Sequence, residues 1–160
     1  MINEIKPSTK AADYSGKRFA IVVSTYNEMV TGKLLEGAVE TLQNHQIADE
    51  RIDVLWVPGA WELALGAKQA VNSGRYAGLV CLGAVIRGET THDQHINRFV
   101  SMALGEMSLE SGLPIAFGLL TCNSFEQAHA RAGGKVGNKG HEATMAMLEM
   151  LHLSEQLNHM

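Results

Sequence analysis

The chain of 160 residues is long enough for one domain with a substantial core, since about two-thirds of the unfolded surface is buried at that size. With 46% apolar and 19% charged residues the composition is globular, and a formal net charge of −4 argues against a nonspecific grip on nucleic acid or anionic membrane. No run approaches the roughly eighteen consecutive apolar residues needed to cross a bilayer and none resembles a secretory signal.

Residues 1–18 carry few core candidates and read as an N-terminal arm ahead of a single domain over residues 19–160. The first apolar run, FAIVVS at residues 19–24, has no alternation, as expected of a strand covered on both faces. After it, Val30, Leu34, Leu35, Ala38 and Leu42 fall at helical spacing. IDVLWV at 52–57 is the second strand, followed by a helix over about 60–73. The third strand covers 77–86, and Ile96, Phe99, Val100, Ala103, Leu104 and Met107 mark the apolar stripe of the next helix. IAFGLLT at 115–121 is the fourth strand; Ser124 can cap a short helix through Ala132, ended by Gly133-Gly134, and a final helix runs over about 138–153. Strands alternating with helices predict a three-layer αβα sandwich on a central parallel sheet. Cys81 and Cys122 each lie inside an apolar run, where a thiol behaves as a small hydrophobe, so a reduced, cytoplasmic setting is expected.

In this architecture ligands bind outside the carboxyl ends of the strands. Those exits carry Thr25-Tyr26-Asn27, then VPGAWE (57–62), RGETTH (87–92) and residues 121–124. RGETTHDQH admits three readings. His92 and His95, three apart with Asp93 between them, could hold a divalent metal, but no second cluster supplies the further ligands a catalytic zinc needs. The stretch could also be a polar first turn capped by Thr90 or Thr91. Or it binds phosphate: Gly88 lets the backbone approach an anion, the free N–H groups at the helix start favour negative charge, Thr90 adds a hydroxyl, and His92, one turn into the helix, is of the residue type that passes protons in acid-base catalysis.

Five separated blocks, STYN (24–27), VPGAWE (57–62), LGAVIRGETTH (82–92), FGLLT (117–121) and ARAGGKVGNKGHEA (130–143), resemble the lumazine synthase family in order and spacing, from about residue 17 to the end. The resemblance implies a flavodoxin-like fold of lumazine synthase type. It also implies condensation of 5-amino-6-(D-ribitylamino)uracil with 3,4-dihydroxy-2-butanone 4-phosphate to 6,7-dimethyl-8-ribityllumazine, a penultimate step of riboflavin biosynthesis, with no cofactor and no metal. Carried over by motif, Tyr26 stacks on the pyrimidine, and Ala60, Trp61, Glu62, Ala84, Val85 and Ile86 line its pocket. Glu89 and Thr90 meet the butanone phosphate, Arg131 pairs with it, Phe117 walls the pocket, and His92 donates the proton. Asn27, Lys139 and Glu142 are supporting groups. The implied partners are the small-molecule substrates, further copies of the chain in pentamers that can build a 60-subunit shell, and riboflavin synthase.

Two positions depart from the family pattern: Tyr26 stands where phenylalanine is frequent, and Asp93 where an aromatic is frequent, which leaves Asp93 and His95 without an inherited role. By residue type alone Trp61 reads as core, Glu62 as a complement to a helix dipole, Arg131 as a favourable helix C-terminal charge, and Met145, Met147 and Met150 as core or subunit interface. The resemblance moves the first three to the site. The competing class is a flavin- or phosphate-binding or shell-forming module without catalysis. A flavodoxin-type phosphate loop after the first strand would need glycines that STYNEMV lacks.

Overall fold

The four apolar runs pair as one parallel sheet in the computed structural model, which describes residues 1–160. The strands are β1 (Phe19–Ser24), β2 (Ile52–Val57), β3 (Gly78–Ile86) and β4 (Ile115–Cys122), in the order β2-β1-β3-β4. The chain steps from β1 outward to β2, then crosses back to β3 on the other side of β1, so a topological switch opens a crevice between the ends of β1 and β3. Helices α1 (Glu28–Asn44), α2 (Leu63–Asn72), α3 (His92–Ser111), α4 (Phe125–Ala130) and α5 (Lys139–Asn158) cover the sheet.

Alternation along the strands divides the core into two layers. On one face Phe19, Ile21 and Val23 of β1 pack with Val80 and Leu82 of β3 against Val30, Leu34, Ala38 and Leu42 of α1 and Met147, Leu148 and Leu151 of α5. On the other face Ala20, Val22, Leu79 and Cys81 pack against Leu63 and Ala67 of α2 and Val100, Leu104 and Met107 of α3. Each fully buried Leu or Val contributes about 1.5–3 kcal/mol relative to exposure. The result is the αβα sandwich expected from the apolar pattern.

Central β1 and β3 are sealed, whereas β2 and β4 are edges, with Trp56, Phe117 and Thr121 exposed. The α3 stripe is buried at Val100, Leu104 and Met107, but Phe99 stays 39% exposed. The short helix ends at Ala130 and not at Ala132. Residues Ala132–Gly134 (β5) instead pair with Gly137–Asn138 (β6) in a small antiparallel hairpin, because Gly133 and Gly137 take φ of 102° and 91°, which turn the chain back. The last helix runs on to Asn158. Of its methionines, Met147 is core at 1% exposure and Met150 faces outward.

The arm is tied down. The Tyr14 hydroxyl donates to the Thr9 carbonyl at 2.9 Å and its ring meets Phe19 edge-on, while the Ser8 N–H donates to His152 Nδ1 at 2.8 Å. Burial first, and the Glu155 carboxylate second, push the Tyr14 phenol up to about 12.

Candidate active site

A cavity of about 390 Å³ opens at the carboxyl ends of β1, β2 and β3. Tyr26, Asn27, Ala60, Trp61, Glu62, Ala84, Val85, Ile86, Thr90 and His92 line it, so ten of the residues singled out by motif converge there. Gly59, Gly88, Asp93 and Ile96 complete the wall. Asp93 and Ile96 follow His92 by one and four positions at the start of α3, so helical spacing alone would have placed Ile96 beside it; its membership of the apolar stripe hid that.

The β1 exit is held by neighbouring strands. The N–H groups of Thr25 and Tyr26 donate to the carbonyls of Val57 and Pro58 at 2.8 and 3.0 Å, and Asn27 Nδ2 donates to the Ala84 carbonyl at 2.9 Å. With its main chain fixed, Tyr26 presents a ring that is 72% exposed, a flat face available to another aromatic.

At the β2 exit, residues Ala60–Glu62 form a 3-10 turn before α2. That turn buries Ala60 and directs Trp61 outward, so Trp61 is 48% exposed and not core; its indole stacks on Phe99 of α3 with centroids 4.1 Å apart. Glu62 Oε2 accepts the Gly59 N–H at 3.0 Å, which closes the turn with a specific bond more local than a dipole effect.

The β3 exit leads into α3. His92 occupies the first helical position, not a place one turn in, and its N–H donates to Thr90 Oγ1 at 3.3 Å. Thr91 holds the N-cap position without a side-chain cap bond, its carbonyl accepts the Gln94 N–H at 3.0 Å, and the positive end of the helix dipole faces the cavity's edge here, a place that favours an anion. One oxygen of Asp93 is buried without a protein donor. Glu89 is exposed and does not line the wall. No three His, Cys, Asp or Glu side chains gather in a metal-binding group anywhere in the chain.

Phe117, Arg131, Lys139 and Glu142 do not line this cavity. Phe117 stands 41% exposed midway along edge strand β4. Arg131 closes α4, with Nη1 donating to the Gln127 carbonyl at 3.3 Å, the helix C-terminal role its residue type suggests. Lys139 and Glu142 lie in the first turn of α5, and the Lys139 N–H donates to the Arg131 carbonyl at 2.8 Å, so the hairpin and α5 hold Arg131 as one unit.

A larger cavity, about 630 Å³, lies at the amino ends of the strands between the arm and the loop before β2. It is walled mainly by polar arm and loop residues and receives no strand exit, so the smaller cavity is the better candidate for chemistry.

The arrangement combines an aromatic face, a pocket of mixed polar and apolar lining at three strand ends, the positive end of a helix and a histidine at that end. A family model described as 6,7-dimethyl-8-ribityllumazine synthase matches residues 16–155, almost the whole chain. The protein therefore belongs to the 6,7-dimethyl-8-ribityllumazine synthase family, an enzyme family of riboflavin biosynthesis.

Proposed function

We propose that this chain condenses 5-amino-6-(D-ribitylamino)uracil with 3,4-dihydroxy-2-butanone 4-phosphate to give 6,7-dimethyl-8-ribityllumazine, orthophosphate and water. The observation that carries the reading is the convergence of Tyr26, Trp61, Glu62, Val85, Thr90 and His92 on one cavity at the strand exits. The pyrimidine stacks on Tyr26, and its ribityl chain extends along residues 60–62 and 84–86. The phosphate sits at the start of α3 on the N–H groups and hydroxyl of residues 88–90.

The aryl amine attacks the ketone and loses water to form an imine. Loss of the proton next to the imine then expels phosphate. The resulting enol becomes a ketone, and the ribitylamino nitrogen closes the ring on it with loss of a second water. His92, at the helix start between the phosphate and the ring, takes and returns the protons in these steps. The chemistry needs no strong nucleophile and no cofactor, so holding the two reactants together supplies much of the acceleration.

Phe117 and Arg131 complete the pocket from a neighbouring copy in a pentameric ring. Their absence from the wall of their own chain supports this, as does the exposure of Phe117 on the free edge β4. The short GGKVGNKG segment (133–140) fits rings that assemble further into a 60-subunit shell, and riboflavin synthase is the partner that would consume the product. Two buried free thiols, Cys81 among them with its pKa pushed up to about 12 by burial, suit a reduced cytoplasm.

The test is to mix the purified protein with both substrates in the presence of a chelator and follow the lumazine chromophore. Enzyme-dependent formation of lumazine is expected. Its failure to exceed the uncatalysed rate would overturn the reading.

A further inference from the structure

Asn27 breaks a local rule at the edge of the cavity. It stands at the N-cap position of α1, where asparagine normally accepts a helix N–H with its side-chain oxygen, yet it makes no such bond. Its backbone is left-handed, φ 63° and ψ 42°, a conformation that most residues with a side chain adopt reluctantly and asparagine more readily. The carbonyl of Asn27 still receives the Val30 and Thr31 N–H groups at 2.9 and 3.0 Å, so the helix starts without help from the side chain.

What the side chain does instead is reach across to β3 and donate to the Ala84 carbonyl at 2.9 Å, 57 residues away in sequence. The left-handed turn, which asparagine tolerates, aims the amide at β3, and the forgone cap is exchanged for that one bond. It closes a clasp. Tyr26 is tied by its N–H to Pro58 beyond β2, and the next residue is tied by its amide to β3, so three strand exits meet on two adjacent residues. Because the Tyr26 ring is mostly exposed, side-chain packing restrains it little and the main chain sets its direction.

We propose that Asn27 is a positioning residue for the aromatic substrate: its amide bond to the Ala84 carbonyl orients the Tyr26 ring over the cavity. This rests on the reading of the cavity as a pyrimidine site given above. Asn27 acts through Tyr26 and the strand ends, so its removal weakens recognition of the heterocycle and leaves the phosphate end of the cavity untouched.

The discriminating variants are Asn27→Gly, which adopts the left-handed turn freely but lacks the amide, and Asn27→Asp, which keeps the shape and turns a carboxylate oxygen toward the Ala84 carbonyl. Asn27→Gly should fold and melt no more than a few degrees below wild type, because the freer turn offsets part of the lost bond to the buried Ala84 carbonyl. It should also raise KM for the aminopyrimidine about tenfold, the worth of one hydrogen bond, with KM for butanone phosphate unchanged. Asn27→Asp should shift the same KM further. A second readout without turnover is the dissociation constant of 6-(ribitylamino)uracil, which lacks the nucleophilic amine, followed by quenching of protein fluorescence; it should rise in parallel. Asn27→Gly matching wild type in both KM values and in uracil binding would overturn the proposal. So would a fall in melting temperature and kcat together with both KM values unchanged, the signature of a purely structural role. Wild-type protein that neither forms lumazine nor binds the uracil would overturn the pyrimidine reading itself, and the proposal with it.

Discussion

Gly140, in the first turn of α5, sits against the backbone of α1, and the substitution Gly140→Ala measures how closely those helices approach. A Cβ there would fall well inside contact distance of the Leu34 carbonyl oxygen and 3.0 Å from Asn138 Oδ1. The Leu34 side chain is fully buried, so α1 cannot yield locally. Overpacking of this kind costs about 1–3 kcal/mol or more, and the gain in helix propensity from Gly to Ala returns at most about 1 kcal/mol. A net loss of about 2 kcal/mol lowers the melting temperature by about 4–8 °C in a chain of this size. Gly32, on the same α1, has nothing within 4 Å of its added Cβ, so Gly32→Ala should raise the midpoint by about 1–4 °C through propensity alone. Both are read by circular dichroism melts at one protomer concentration, since assembly makes the midpoint concentration-dependent. A Gly140→Ala protein melting at or above wild type would refute the close approach, and with it the account of how α5 holds Arg131 in place.

Three further outcomes are expected. Arg131→Lys should raise KM for butanone phosphate about tenfold or more while leaving KM for the pyrimidine unchanged, because an ammonium cannot reproduce the guanidinium fork; equal losses in steady-state kinetics would sink the phosphate assignment. His92→Ala should lower kcat by only about 10–100-fold, since proximity supplies much of the rate; an unchanged kcat would remove His92 from the proton transfers. Burial raises the Asp53 carboxyl, but the Tyr76 hydroxyl at 2.8 Å and the Arg18 and Arg75 guanidiniums at 3.0 and 3.8 Å outweigh it, so its pKa lies below 3.8. A lowered pKa stabilises the fold above the unfolded value and loses that stability as pH falls through the folded one. Asp53→Asn should therefore cost about 1 kcal/mol near neutrality, and the gap from wild type in denaturant titrations should shrink below about pH 4; a gap independent of pH would refute the linkage.

The strands were legible because a buried parallel sheet demands uninterrupted apolar runs, and FAIVVS and IDVLWV meet that demand without competing helical periodicity. The cavity followed from the strands, since Tyr26, Ala60 and Thr90 stand directly at their exits. What escaped were features set by a few dihedral angles. The β5–β6 hairpin depends on positive φ at Gly133 and Gly137, and a glycine pair in sequence reads equally well as a helix stop. Trp61 was read as core by residue type because indole buries well, but a 3-10 turn rotates it outward by a fraction of a turn that no apolar count reveals. The left-handed Asn27 and its bond to β3 join residues far apart in sequence, so only the folded sheet brings them together.

The claim at the centre of this account is that one chain's cavity is completed by Arg131 of its neighbour, and co-produced variants test it most directly. Chains carrying Tyr26→Asp and His92→Ala together supply only the clamp half, and chains carrying Arg131→Ala supply only the cavity half. In rings formed from equal amounts of both, about one interface in four joins two intact halves. Mixed rings, verified by mass spectrometry to contain both chains, should therefore recover up to about a quarter of wild-type lumazine formation. Activity no higher than the mean of the two pure variants would contradict the shared site and place the phosphate clamp elsewhere.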